Sequence, residues 1–177
     1  MRQEPHELDS FSPVTAARTD LAHRAPSVYP AHFMVGTGYP TEDDFGVARQ
    51  ELGKGYGVYA RRAFQRGYRV CRISGTIVHE VMQHTLQISS DAHLYDPYFT
   101  GFLLHACDPN VFLDMGRFEL WAMKDILPGQ ALTMDYASTE DYLFKQFPCL
   151  CGAPNCRKWI TGRREPVRVP DLDADGR

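Results

Sequence analysis

The chain has 177 residues, of which 44% are hydrophobic and 23% are charged. This composition supports one compact domain with an arm or tail and excludes wholesale disorder. The net charge of −3 excludes the basic excess that drives general nucleic-acid binding, and no apolar run is long enough to cross a membrane. Because the first thirty residues lack the apolar stretch of a secretory signal, we expect an intracellular protein, cytoplasmic by default, with reduced thiols.

The amino-acid composition of the chain changes near residue 31. Residues 1–30 are polar and contain four prolines, so we expect a flexible arm there. Beyond it, short apolar stretches alternate with Gly, Pro and Asp, which predicts a mostly β domain with few helices. After Arg163 the chain is charged and proline-bearing, which predicts a frayed tail.

Two local elements can be predicted from turn and capping residues. Val111–Leu113 and Phe118–Ala122 flank a polar turn and predict a β-hairpin. Ser138, with Asp141 three residues later, resembles a weak capping box, so we expect a short helix that ends at Pro148.

Three of the five cysteines, Cys149, Cys151 and Cys156, lie within eight residues. Zinc binds four soft ligands in a tetrahedron, so one ligand is missing locally, and Cys107 in a polar turn is the natural candidate. The alternative is that these cysteines are small buried hydrophobic residues, but their crowding favours a metal site. Cys71 lies in a strand-like stretch and is expected in the core.

Three further features carry less information alone. Gly53–Ala60 holds three glycines at alternate positions, which permit close approach of a ligand but alone are more typical of a tight turn. Tyr136 ends a predicted strand and is either a core residue with a polar edge or a catalytic hydroxyl. His105 is likewise either a buried histidine or a functional one.

In their order and spacing, these segments together resemble the SET domain of lysine methyltransferases. Gly53–Ala60 is similar to the family's opening Gly-x-Gly-Val-x-Ala motif, and His105–Asn110 to its Asn-His-Ser-Cys-x-Pro-Asn motif. Pro128–Tyr136 resembles Pro-Gly-x-x-Leu-Thr-x-Asp-Tyr, and Cys149–Cys156 matches the post-SET pattern Cys-x-Cys-x4-Cys. The resemblance covers about residues 45–163.

The resemblance implies an architecture that composition alone does not reveal. The fold class is mostly β (α+β): a SET-like β-clip of small curled sheets with a pseudoknot, in which the segment of Tyr136 threads a loop near His105, and a C-terminal post-SET zinc site. The expected organisation is an N-terminal arm, a SET domain, a post-SET zinc segment and a C-terminal tail, at residues 1–30, 31–146, 147–163 and 164–177.

The resemblance also implies the site residues. Tyr136 is the expected catalytic tyrosine. The four zinc ligands are Cys107, Cys149, Cys151 and Cys156, which agrees with the count made from the residues. The residues expected at S-adenosylmethionine are Lys54, Gly55, Tyr56, Gly57, Leu104, His105 and Leu150.

The implied function is transfer of a methyl group from S-adenosylmethionine (SAM) to an amine, with a protein or peptide lysine as the substrate. Two alternatives stay open: a SET-like enzyme acting on a small amine or amino acid, and a zinc-stabilised interaction module without catalysis. Neither a membrane nor general nucleic-acid binding is expected, and the sequence does not define an oligomeric state.

The chain departs from the family pattern around the expected pocket. Leu104 and Ala106 stand where the histidine motif has Asn and Ser, and Gly101 stands where an Arg is usual. Ile73 and Arg72 replace the tyrosine and glutamate of another family segment. Loss of the Asn side chain removes polar contacts that are typically worth ~1–3 kcal/mol, which favours an altered pocket.

Overall fold

A computed structural model describes residues 26–49 and 55–168 of the chain. These residues form short strands and single-turn 3-10 helices, which confirms the mostly β fold class. The 3-10 helices are Ala31–Phe33, Thr100–Phe102 and Tyr136–Ser138. The strands are β1 (Phe45–Arg49), β2 (Tyr56–Ala60), β3 (Arg69–Arg72), β4 (Thr76–Val78), β5 (Thr85–Gln87), β6 (His93–Tyr95), β7 (Leu104–His105), β8 (Val111–Asp114), β9 (Glu119–Ala122), β10 (Thr133–Met134), β11 (Phe147–Pro148) and β12 (Trp159–Ile160). Within this part of the chain, no helix has the length and apolar content that crossing a bilayer requires.

The strands are distributed over five small sheets. Two sheets have three strands, in the orders β3-β9-β8 and β4-β6-β5. The pairs β1-β2, β7-β10 and β11-β12 form two-stranded sheets. All pairings are antiparallel except β7-β10, which is parallel. Since that parallel pair joins segments about thirty residues apart, it brings distant motifs to one place.

The predicted hairpin is confirmed in β8 and β9. Val111 lies opposite Ala122 and Asp114 opposite Glu119. The turn is closed by the Arg117 N–H, which donates to the Asp114 backbone carbonyl (3.2 Å) and to its side chain (3.1 Å). Phe118, predicted as strand, instead takes a left-handed conformation with φ +54° and completes the turn.

The predicted helix after Ser138 is wrong. The only helical turn near it in the described chain is Tyr136–Ser138, which Asp135 caps by accepting a bond from the Ala137 N–H (3.1 Å). Asp141 does not cap a helix, because its carboxylate instead binds the Gln87 amide at 3.0 Å and the Arg163 guanidinium at 3.0 Å. Tertiary hydrogen bonds therefore override the local capping signal.

Residues near both predicted domain boundaries pack against the rest of the described chain. Tyr29, within the predicted arm, is buried in the core, and the Val28 N–H donates to the Pro40 carbonyl (3.1 Å). At the other end, the Gln146 amide donates to the Pro166 carbonyl (2.8 Å). Residues 1–25 and 169–177 lie outside the described residues, so the domain boundaries stay predictions.

Asp96 is a fully buried carboxylate (0% exposed) that organises the centre of the fold. It accepts bonds from the backbone N–H groups of Tyr98, Phe99 and Thr100 at 3.0, 3.0 and 2.8 Å. It also accepts the hydroxyls of Thr100 (2.6 Å) and Tyr29 (2.8 Å). These bonds compensate the loss of hydration and fix the 3-10 turn that leads into β7.

Replacing Asp96 should therefore cost more stability than an ordinary surface change. Asp96→Ala leaves several buried donors without an acceptor, each worth ~1–3 kcal/mol, so we expect the free energy of unfolding to fall by more than about 3 kcal/mol. Urea denaturation measures this. Asp91→Ala, on an exposed carboxylate, is the matched control and should change stability by less than about 0.5 kcal/mol. Equal losses in the two variants would contradict the central role of Asp96.

Candidate functional site

The parallel pair of β7 and β10 brings Tyr136 beside His105. Their rings lie edge to face with centroids 5.2 Å apart, and the Tyr136 N–H donates to His105 Nδ1 (3.3 Å). Phe147 completes the cluster, with its centroid 5.9 Å from Tyr136 and 6.2 Å from His105. The structure thus joins the histidine, tyrosine and C-terminal segments that the sequence singled out.

The Tyr136 hydroxyl is fixed by the backbone. It donates to the carbonyl of Leu103 at 2.8 Å, so its oxygen keeps its lone pairs for a ligand. Burial, assisted by the negative charge of Glu140, raises the pKa of Tyr136 to about 12. The group is therefore a neutral phenol at neutral pH and serves as a polar contact rather than as a base.

A cavity of about 520 Å³ opens beside this hydroxyl. Most of its wall is apolar, and its apolar or backbone lining comes mainly from Leu86, Leu103, Met134, Leu143, Phe144 and Phe147. The ionisable groups of the wall are His84, Tyr136, Glu140 and Lys145. Such a cavity accepts an aliphatic chain with a polar end.

His105 is a neutral imidazole with a defined tautomer. Burial lowers the pKa of His105 to about 4; Asp135 opposes this shift and Arg157 adds to it. Because Nδ1 accepts the Tyr136 N–H, the proton must reside on Nε2. Nε2 lies 3.4 Å from Cys107 Sγ, so His105 links Tyr136 to the cysteines.

The four predicted zinc ligands converge. The sulfurs of Cys107, Cys149, Cys151 and Cys156 all lie within 4.8 Å of one another, and those of Cys107 and Cys149 are 3.8 Å apart. A tetrahedron with zinc–sulfur bonds of about 2.3 Å has corners about 3.8 Å apart, so the donor set and its spacing fit zinc. Cys71 is buried in the core, as predicted.

The surroundings of the cysteines supply positive partners. Burial raises the pKa of Cys149 to about 12, so a cation is needed before all four thiols can ionise. The Arg157 N–H donates to Cys107 Sγ (3.3 Å), and the Arg157 side chain pairs with Asp135. Donors of this kind support thiolate ligands.

The cysteine cluster predicts one zinc ion per chain. Cys151→Ser should remove the metal and disorder the C-terminal segment, since metal binding and local folding are coupled. Elemental analysis of protein purified without chelator checks the metal content, and hydrogen exchange checks residues 147–163. Cys71→Ala is the matched control: it should keep the zinc and lose about 1 kcal/mol or more of stability. Zinc-free wild-type protein would contradict the site.

Six of the seven residues predicted at SAM are described by the structure, and they lie around β2, β7 and the cysteines. Gly55 has φ +80°, and a Cβ there would meet no atom within 4 Å, so its backbone is open to a ligand. Tyr56 is exposed, and the centroid of its ring lies 6.2 Å from that of Phe102. Gly57 is buried in β2. Leu150 is exposed (62%) between two of the cysteines. Lys54 lies outside the described residues.

The β7 backbone offers a further polar surface at His105. The Leu104 N–H donates to Leu132 O (3.3 Å) and the Ala106 N–H to Met134 O (3.0 Å). These bonds flank His105, whose own N–H and C=O therefore face away from β10. The side chain of Leu104 is half-buried.

Gly101, which replaces the family's usual Arg, occupies a position that admits no side chain. An added Cβ would lie 2.3 Å from the Asp96 carbonyl oxygen and 2.6 Å from His84 Cβ. His84 Nδ1 lies 2.8 Å from the Gly101 carbonyl, and its ring lies 5.0 Å from Phe102. His84 therefore packs where a side chain at 101 would be. Ile73, another of the departures, is buried in the core.

This packing predicts that even the smallest side chain at Gly101 is destabilising. Gly101→Ala should lower the free energy of unfolding by about 1–3 kcal/mol, because backbone or His84 must move. Thermal or urea unfolding measures it. Gly36→Ala, where an added Cβ meets no atom within 4 Å, is the control and should change stability by less than about 1 kcal/mol. A neutral Gly101→Ala variant would contradict the proposed packing.

Sequence reasoning missed the three ionisable groups of the cavity that come from outside the motifs, His84, Glu140 and Lys145. His84 and Glu140 reach the same wall from segments more than fifty residues apart. A lone His and a Glu in a polar stretch carry no spacing signal. Only the tertiary pairing of Gln87 with the segment around Glu140 could have revealed them.

Comparison with known proteins gives one family match and several relatives. The family model described as SET domain matches residues 55–137. The H3 lysine-36 specific histone-lysine N-methyltransferase of Candida albicans is 28% identical over 143 residues, covering 67% of this chain and 17% of that protein. The histone-lysine N-methyltransferase SETMAR of Mus musculus is 29% identical over 150 residues, covering 60% of this chain and 48% of that protein.

Solved structures agree with these matches. The crystal structure of KRYPTONITE in complex with mCHG DNA and SAH has a TM-score of 0.55 and 30% identity, and covers 65% of this chain and 28% of that one. The methyltransferase domain of human SETMAR has a TM-score of 0.53 at 20% identity, covers 67% of this chain and 58% of that one, and supports the fold alone. The chain spans less than a fifth of the first curated relative.

Proposed function

The chain contains a SET domain, and on this premise we propose that it transfers a methyl group from S-adenosylmethionine to the side-chain amine of a protein or peptide lysine. The observation that carries the proposal is the Tyr136 hydroxyl, fixed on the Leu103 carbonyl (2.8 Å) in the wall of a mostly apolar cavity. That is the environment in which an aliphatic amine can be held and oriented.

The chemistry needs orientation more than acid or base strength. A lysine amine has an ordinary pKa near 10.4 and must lose a proton before it can attack. Apolar walls disfavour the ammonium form, while the oxygen of Tyr136 and nearby carbonyls align the nitrogen lone pair. Because Tyr136 stays a phenol, its role is orientation and electrostatic stabilisation of the transition state.

The residues present fit S-adenosylmethionine. The open backbone at Gly55 and the outward-facing amide and carbonyl of His105 can bind its polar edges, with Tyr56 and Leu150 as apolar contacts. When bound, the cofactor supplies an activated methyl group on a sulfonium. The KRYPTONITE structures contain SAH, the demethylated product, which supports the same cofactor here.

Zinc has a structural role in this proposal. Four cysteines leave no position open for a substrate, so the metal would hold the segment of Leu150 and Phe147 against His105. The chain's own residues, not the metal, would perform the transfer. The intracellular location, which was expected together with reduced thiols, stays a prediction. A histone substrate, as in the names of the relatives, would favour the nucleus over the cytoplasm.

A small amine remains the second candidate substrate. The packing of His84 against Gly101 alters the cavity at a position where the family pattern has Arg, and this favours a specificity of its own. A non-catalytic zinc module is less favoured, because a scaffold has no need of a phenol held on a carbonyl beside a cavity. The assignments of individual site residues stay predictions.

Two measurements test the proposed function. Calorimetric titration with S-adenosylmethionine should give binding, and mass spectrometry should find a methylated product when the protein is incubated with lysine peptides, including histone H3 peptides, or with small amines. Methylation of free amines but not of peptides would favour the second candidate. If the protein neither binds S-adenosylmethionine nor forms a methylated product, both enzyme functions are contradicted.

Tyr136→Phe should separate catalysis from packing. It removes one hydroxyl, and we expect the barrier to rise by about 2–4 kcal/mol, roughly 30- to 1000-fold in rate. Loss of the bond to Leu103 should cost only about 0.5–1.5 kcal/mol of stability, and SAM affinity should be unchanged. Single-turnover methylation, unfolding and SAM titration are measured together.

Tyr142→Phe is the control, since Tyr142 is exposed and does not line the cavity. Its rate should equal that of the wild type. If Tyr136→Phe keeps full activity while its stability collapses, Tyr136 is a core residue and its catalytic assignment fails.

A further inference from the structure

We infer that Glu140 is the cation-binding residue of the cavity and selects substrates that carry a positively charged amine. This inference rests on the proposed function, since it assigns the substrate class of the same cavity. Glu140 lines the cavity together with Tyr136. The Glu140 N–H donates to the Tyr136 carbonyl (2.9 Å), so one tight turn places both side chains in one wall.

The position of the Glu140 carboxylate is fixed by a neighbouring strand. The Gln87 N–H, at the end of β5, donates to Glu140 Oε1 (3.0 Å). The Gln87 side chain binds the adjacent Asp141 twice, through its amide to Oδ2 (3.0 Å) and through Oε1 to the Asp141 N–H (2.6 Å). The Arg163 N–H donates to the Glu140 carbonyl (2.9 Å). A carboxylate anchored in this way is preorganised for a ligand.

Glu140 is buried without a cation of its own. It is 5% exposed, and no ion pair to it occurs among residues 26–49 and 55–168. The nearby Arg163 and Arg164 pair instead with Asp141, at 3.0 and 3.7 Å. A buried carboxylate needs several hydrogen-bond donors, as Asp96 has, or a positive partner. Glu140 accepts the Gln87 N–H, and the cavity beside it has room for a cation. An ammonium group on the substrate supplies this partner when the substrate first binds, and the neutral amine that attacks forms only after the ammonium loses a proton.

The charges around the cavity are consistent with this role. Burial is the main cause that raises the pKa of Glu140, and the bond from Gln87 and the charge of Arg163 oppose it. The charge of Glu140 in turn raises the pKa of Tyr136, which places the two groups within electrostatic reach. The ionisable groups that face Glu140 or share its cavity are His84, Tyr136, Asp141, Lys145 and Arg163.

The test is binding of n-butylammonium, which mimics the end of a lysine side chain, to the full chain with its zinc. NMR titration should give a dissociation constant at least tenfold lower for butylammonium than for 1-butanol, its neutral analogue. Glu140→Gln should weaken butylammonium binding by about ten- to hundredfold, the loss of one charged hydrogen bond, and leave 1-butanol binding unchanged. Glu42→Gln, at an exposed position outside the cavity, should bind both probes as the wild type does.

The pH dependence gives a measurement that needs no variant of Glu140. Only the ionised carboxylate attracts a cation, so wild-type affinity for butylammonium should fall as the pH is lowered from about 8 to about 5, while affinity for 1-butanol should not. Because His84 shares the cavity, the same pH series is run on His84→Asn protein, in which the fall in butylammonium affinity should persist. If Glu140→Gln does not fold, these two series decide between the outcomes.

The inference is overturned if the wild type binds both probes equally or if folded Glu140→Gln binds butylammonium unchanged. Because binding is measured without turnover, the two proposals fail separately. A chain that binds butylammonium through Glu140 but transfers no methyl group retains the cation site and loses the proposed function. A chain that methylates amines with no effect of Glu140→Gln retains the function and loses the cation site.

Discussion

The buried carboxylate of Asp96 is the constraint on which the site depends. Five hydrogen bonds reach it, from Tyr29, Tyr98, Phe99 and, twice, Thr100. A charge in the core is tolerated only where such donors replace water, so the segment after Asp96 has little choice of conformation. That segment ends in Leu103, whose carbonyl holds the Tyr136 hydroxyl. The position of the Tyr136 hydroxyl is thus set by a carboxylate that itself lies outside the cavity.

The second constraint runs through His105 and joins the cavity to the cysteines. The neutral ring receives the Tyr136 N–H on one nitrogen and directs the other toward Cys107. One imidazole therefore supports the tyrosine and a metal ligand together. Metal ligands are commonly oriented by such outer partners. The cysteine segment and the tyrosine are consequently joined by a short, physically continuous path of contacts.

The features that could be predicted from the sequence are those that depend on the spacing of residues along the chain. The crowding of Cys149 to Cys156 indicated a metal site, alternating strands indicated a β domain, and the β8-β9 hairpin followed from its turn. Features that depend on tertiary competition could not be predicted. The helix expected after Ser138 does not form, because Gln87 and Arg163 bind Asp141. The core position of Tyr29 was hidden in a polar, proline-bearing stretch, since its hydroxyl is satisfied by distant partners, Asp96 and the Ser74 N–H.

One departure from the family pattern, Gly101, is explained by the packing around it. Gly101 sits between the Asp96 carbonyl and His84, where no Cβ fits, so the missing Arg and the presence of His84 are one change rather than two. His84 takes a left-handed backbone with φ +70°, a conformation costly for a non-glycine residue, and its bond to the Gly101 carbonyl helps to stabilise it. Strain of this kind is retained where surrounding contacts fix it. The altered cavity wall is therefore a property of this chain. Its chemistry should be judged from the groups it presents, a phenol, an imidazole, a carboxylate and a lysine amine, rather than from the residues it lacks.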